Sequence, residues 1–247
     1  MIFLLAWIAI LPSPPSGAGI EPLTLADDRA CTADGTLCVG LTQQARDGEL
    51  AFTPVVHAPD ALPTGPKEAS GEVETSRPWS GLIRLSDGGF LAGVEKEASS
   101  LYSDGSGHAI EVRLYRLDAE GDAASAPVLS VPIQGAVMIR ACFTEEDMKR
   151  RAEACHDNYS FKGVLTFEAG VDEGGLPVLT YETTATAYPR GASRSEDSSE
   201  KPPLKPADLV TSRDPRCSFI RRFTFDAKAG EYKPDSPLPD CSDYTVP

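Results

Sequence analysis

The chain has 247 residues, 41% of them apolar, and carries 37 acidic against 23 basic side chains for a formal net charge of −14. That length and apolar share can fill one large core or two small ones. The negative balance repels phosphate backbones and anionic lipid, which argues against nucleic acid as a partner and leaves basic proteins or cations as the complementary class.

The first residues are expected to lie outside the fold. An apolar run extends from Ile2 to Leu11, whereas a membrane helix needs about 20 apolar residues. A run this short fits the core of a secretory signal, and Pro12, Pro14 and Pro15 would interrupt a strand. Ser16 and Ala18 occupy the −3 and −1 positions of a cut after Ala18, with a cut after Gly19 as the alternative. No Lys or Arg precedes the run, so the amino terminus alone supplies positive charge. Residues 1–18 are therefore expected to be a signal peptide and residues 19–247 a single β-rich exported domain, with no stable membrane insertion once the leader is removed.

Strand signals follow. Residues 36–42 and 49–57 read as strands, with Asp34-Gly35 turning the chain between Cys31 and Cys38. Residues 58–78, with four prolines, read as a mobile surface loop. Leu82, Ile83 and Leu85 precede an Asp87-Gly88-Gly89 turn, and Phe90, Leu91 and Val94 follow it, as in a hairpin. A second hairpin turns at residues 104–107. Beyond it Ile110, Val112 and Leu114 alternate with Glu111 and Arg113, the pattern of a half-buried antiparallel strand. Residues 127–142 supply one or two further strands, broken or bulged at Pro132 and Gly135.

One helix is expected, over residues 142–158. Thr144 is its cap, Glu145, Glu146 and Asp147 suit its positive end, and Lys149, Arg150 and Arg151 lie further along. Strands resume at 159–170 and 176–189, joined at the glycine pair 174–175. Residues 190–209 are polar and proline-rich and read as a mobile loop. The chain closes on a strand from Phe219 to Phe225, a turn ending at Gly230, and a short returning strand at 231–234.

Six cysteines in a chain with an export signal point to disulfides. Their spacing favours near neighbours: Cys31 with Cys38, Cys142 with Cys155, and Cys217 with Cys241. Each bond would close a loop of 8 to 25 residues, worth roughly 2.5–3.5 kcal/mol in the chain-entropy picture. The second would strap a three-turn helix to the preceding strand. The third would lock the terminus, with Phe219, Phe223 and Phe225 facing the core and the return covering the strand's edge. The expected fold is all-β: an antiparallel sandwich or open barrel of about ten strands with one short disulfide-strapped helix.

Chemistry is sparse. Nucleophile-elbow, phosphate-loop, dinucleotide and H-E-x-x-H motifs are absent from the sequence. His108 is expected in a solvated turn, His156 at the helix end, and His57 without a partner. Glu153 and His156 match a helical ligand spacing, and Asp118, Glu120 and Asp122 resemble half of a calcium loop whose glycine comes too early. No catalytic, cofactor or metal residue is assigned. Asn158-Tyr159-Ser160 is a glycosylation sequon. Trp79, Tyr102, Tyr115, Tyr181 and Tyr232 are core fillers or sugar-stacking rings, and Arg221 and Arg222 are counter-ions or an anion contact. The leading expectation is a non-enzymatic binding or scaffolding protein of the periplasm or extracellular space, with an envelope or extracellular protein as partner. A glycan hydrolase using paired carboxylates and an acidic inhibitor of a basic hydrolase are the alternatives.

Overall fold

A computed structural model of the protein describes residues 19–26, 28–46, 49–62, 74–124, 126–171, 175–196 and 200–247. The expected signal peptide, residues 63–73 of the 58–78 loop, Gly174 and residues 197–199 of the 190–209 loop lie outside the described residues.

A two-residue strand, β1 (Glu21–Pro22), forms one edge of the larger sheet. The chain then builds a separate four-stranded antiparallel sheet from β2 (Thr24–Ala26), β3 (Arg29–Cys31), β4 (Cys38–Arg46) and β5 (Glu49–His57). The β3–β4 turn is organised by Asp34, whose Oδ1 accepts from Thr32 Oγ1 at 2.6 Å and from the Thr36 N–H at 3.1 Å. Gly35, at φ +68°, takes the left-handed position there. The Cys31–Cys38 disulfide joins two residues that face each other across the ladder.

The larger sheet holds β6 (Glu74–Arg84), β7 (Phe90–Tyr102), β8 (Gly105–Leu117), β9 (Leu129–Arg140), β10 (His156–Val171), β11 (Pro177–Tyr188), β12 (Ser212–Arg213), β13 (Ile220–Asp226) and β14 (Glu231–Pro234). From β6 to β11 its order follows the sequence; β13 and β14 then extend the sheet, and β12 makes a side pairing with β11. Turn chemistry sets this order. Asp87 Oδ1 accepts the Gly89 N–H between β6 and β7, and Asp226 Oδ1 accepts from Lys228 and Ala229 between β13 and β14.

The antiparallel all-β class is as expected, with fourteen strands among the described residues, several of them only two to four residues long. Two element boundaries change. Residues 74–78 begin β6, so the polar 58–78 stretch reaches the sheet earlier than its composition implies. The helix is shorter: α1 spans only Glu145–Arg150. Thr144 caps it as expected, in a reciprocal box with Asp147. Ala152 and Glu153 then enter the left-handed region at φ 47° and 67°, which ends the helix. His156 and Asn158 therefore belong to β10. The Cys142–Cys155 bond ties the end of β9 to the start of β10, beside the Ala141 N–H to Cys155 carbonyl hydrogen bond.

Two cores result. The smaller lies between the four-stranded sheet and one face of β6–β8, joining Leu23, Val39, Leu41 and Val56 to Leu82, Phe90, Ala92, Tyr115 and Leu117. The larger joins Trp79, Ile83, Leu91, Val112, Leu114 and Val131 to Phe161, Leu165, Leu179, Tyr181, Phe223 and Tyr232. Its members come from both ends of the long sheet, so that sheet folds over on itself. The register slips between Ile110 and Glu111 of β8, opposite Gln134 and Pro132 of β9, and the β9–β10 ladder stops at Gln134–Lys162. Beyond that point the halves face each other. The Tyr232 N–H donates to the Val128 carbonyl at 2.8 Å and the Tyr181 hydroxyl to the Pro132 carbonyl.

The carboxyl-terminal segment crosses the sheet. Phe223 is buried and Phe219 and Phe225 pack against the core, as expected. After β14, however, the chain does more than cover an edge. The short helix α2 (Ser242–Thr245) lies over Gly135 and residue 247 over Gly107: a Cβ on Gly135 would stand 2.0 Å from the Tyr244 carbonyl oxygen, and one on Gly107 2.4 Å from Pro247 Cα. Tyr244 stacks edge-on against Tyr159 at 5.9 Å and donates its hydroxyl to Asp214 at 3.0 Å. Burial, then Asp214, push the Tyr244 phenol pKa up, so it stays the donor. Arg194 reaches the Val246 carbonyl at 2.6 Å, and Cys217–Cys241 anchors the segment. Parts of the 190–209 stretch are likewise tied down: the Leu204 N–H donates to the Arg150 carbonyl and the Arg150 side chain to the Lys201 carbonyl.

Candidate binding face of the sheet

Cross-strand partners share a face, so the register places distant side chains together. One row runs Leu101, Ser106, Met138, Asn158, Tyr188. The next runs Ser99, His108, Ala136, Ser160, Thr186 and ends on Arg213 of β12. Further along β10 come Val164, Glu182 and Ile220, then Thr166, Thr180 and Arg222. Most other side chains here are polar, and four apolar ones protrude among them: Leu101 is 90% exposed, Ile220 59%, Val164 41% and Met138 38%. A shallow depression of about 500 Å³ lies between Leu101, Met138 and His108.

His108 sits within β8, away from the turn, because β8 starts at Gly105 and the preceding turn is only Ser103-Asp104. Its Nε2 meets Glu97 Oε1 at 3.0 Å across the ladder. An imidazole held by a carboxylate is the base half of a nucleophilic triad. Ser99 stands opposite and Ser106 two residues away, yet neither hydroxyl bonds the ring, so the constellation is incomplete.

The other singled-out residues do not converge. His57 ends β5 opposite Cys38, and His156 opens β10 as an exposed residue opposite Arg140. Glu153 lies in the left-handed turn, so the Glu153–His156 spacing is not one helical face. Asp118 and Asp122 line a depression of about 490 Å³ with Asp87 and Arg116. There Asp118 accepts the Asp122 N–H at 2.9 Å and Asp87 pairs with Arg116 at 2.6 Å. Among the described residues no three His, Cys, Asp or Glu side chains group as metal ligands. Trp79, Tyr115, Tyr181 and Tyr232 are buried, and only Tyr102 is exposed.

A glycoside hydrolase needs a carboxylic acid whose pKa is raised. Among the described residues, each carboxylate held away from its ordinary pKa is held low. The Gly89 N–H and then Arg116 hold Asp87 low, and Arg222 holds Glu168 low. Arg222 grips Glu168 through Nε and Nη2 at 3.0 and 2.9 Å, while Arg221 lies over the Phe219 ring at 5.0 Å. Both arginines are thus engaged within the chain.

The pairing of His108 with Glu97 and the alignment of Val164 with Ile220 escaped sequence reasoning. Both depend on strand register across residues 11 or more positions apart, which turn signals alone do not specify. No protein-family model, curated protein or solved structure matches the chain.

Proposed function

We propose that the chain is a non-enzymatic exported binding or scaffolding protein of the periplasm or extracellular space, and that it engages a protein partner through the open face of β10, β11 and β13. The observation that carries this reading is the row Val164–Glu182–Ile220, two protruding apolar side chains about one carboxylate on a face that, among the described residues, no other element covers. Three disulfides with no free cysteine belong to an oxidising extracellular or periplasmic space and stiffen the body that presents the row. Exposed apolar groups on regular strands suit contact with a complementary surface at little ordering cost. The charge of −14 favours a basic partner by steering its approach.

The test uses the mature, oxidised protein, immobilised against envelope extract, beside a Val164→Asp/Ile220→Asp variant. Wild-type protein should retain a partner identifiable by mass spectrometry. The variant should lose about tenfold or more in affinity, and added salt should slow association. Equal retention by both proteins rejects the face. Turnover of a glycan by the purified protein would replace the reading with the hydrolase alternative.

A further inference from the structure

Asn158 is the single asparagine in 247 residues, and it stands in Asn-Tyr-Ser. The expected helix would have put it at a helix terminus. Instead it lies in β10 with its side chain exposed on the open face, and Ser160 is exposed on that same face two residues on. Neither the Asn158 amide nor the Ser160 hydroxyl bonds another described residue. Beside Ser160 the face is low, flanked by Ala136 and Thr186, and Ser106 stands one strand beyond Met138. Met138 and Tyr188 are the direct neighbours of Asn158, and Leu101, the most exposed large apolar side chain among the described residues, lies in the same row.

We propose that Asn158 is an N-glycosylation site and that its glycan covers the Leu101–Met138 end of the face. The donor is a lipid-diphosphate-linked oligosaccharide of the secretory compartment. The Asn158 Nδ2–C1 bond forms as the bond from C1 to the diphosphate oxygen breaks. The lipid diphosphate leaves with that electron pair, and one amide proton passes to solvent. Leu101 is three strands from Asn158, about 14 Å at ordinary strand spacing, within reach of the first two or three sugars. Bulky, polar cover at this end accounts for apolar side chains left bare in an otherwise polar row. The inference rests on the export half of the function proposed above and is independent of its partner. Val164 lies six residues along β10, about 20 Å away, which leaves that contact free.

Mass spectrometry of the protein from its natural source should find the peptide bearing Asn158 heavier by an oligosaccharide, and amidase release should leave aspartate at 158. Ser160→Ala should abolish the increment and Ser160→Thr preserve it, which separates loss of the sequon from loss of folding. Loss of the glycan should raise binding of an apolar dye without changing retention of the Val164–Ile220 partner. Recovery of Asn158 unmodified from protein with cleaved leader and intact disulfides overturns the glycan and leaves export standing. Recovery with the leader uncleaved and the thiols free overturns export itself.

Discussion

Gly135→Ala should detach the carboxyl-terminal segment. The new methyl would stand 2.0 Å from the Tyr244 carbonyl oxygen, 3.0 Å from its carbon and 3.3 Å from Phe161 Cβ. The first contact is with backbone, so no rotamer change relieves it and α2 must lift. Lifting exposes the Tyr244 side chain, a loss of about 2 kcal/mol. It also breaks the edge-on pair with Tyr159 and the bond to Asp214, each worth about 1 kcal/mol. The Cys217–Cys241 tether limits the movement, and alanine stiffens the unfolded chain by about 0.4–1 kcal/mol in the opposite sense. A net destabilisation of about 2–3 kcal/mol is expected. In urea that lowers the midpoint by roughly 1 M for a slope of 2–3 kcal/mol/M. Limited carboxypeptidase digestion should then remove residues 242–247 from the variant first. Gly40→Ala serves as the control, because its methyl meets only the end of the Leu62 side chain, at 3.0 Å, and should change stability little. A Gly135→Ala protein that unfolds at the wild-type midpoint with its terminus still protected would refute the packing described.

Arg151 and Asp157 form a buried ion pair, 7% and 3% exposed at their side chains. Arg151→Met should cost about 3–5 kcal/mol, and Arg151→Met/Asp157→Leu should recover most of it; a double variant as unstable as the single one rejects the pair as the cause. The pKa of Asp34 is lowered from 3.8 to about 2 by the Thr32 hydroxyl, then the Thr36 N–H. Its contribution to stability is therefore present above about pH 4 and is lost as pH falls through 2. Carbon-13 titration of Asp34 should show that low midpoint, and Thr32→Val should raise it; a midpoint near 3.8 in the wild type contradicts the turn geometry.

The sequence by itself determined the all-β class, the Asp34-Gly35 and Asp87-Gly88 turns, the Thr144 cap and the pairing of neighbouring cysteines. Each of these is a local matter: alternation, left-handed glycine, capping and short loop closure act within about 25 residues. The break expected at Pro132 is where the β8–β9 register slips, but the ladders of β6–β7 and β10–β11 slip as well, and only the tertiary structure decided that the sheet folds over at β9. It also decided that α1 stops at Arg150, where the chain must turn back into β10 beside Cys155, though helix propensity continues. The same holds for the terminal segment. Gly107 read as part of a turn and Gly135 as a break in its strand, but they are the clearance that Pro247 and Tyr244 need. A missing side chain carries no sign of what will occupy its space, and that space exists only once β8, β9 and the terminus have met.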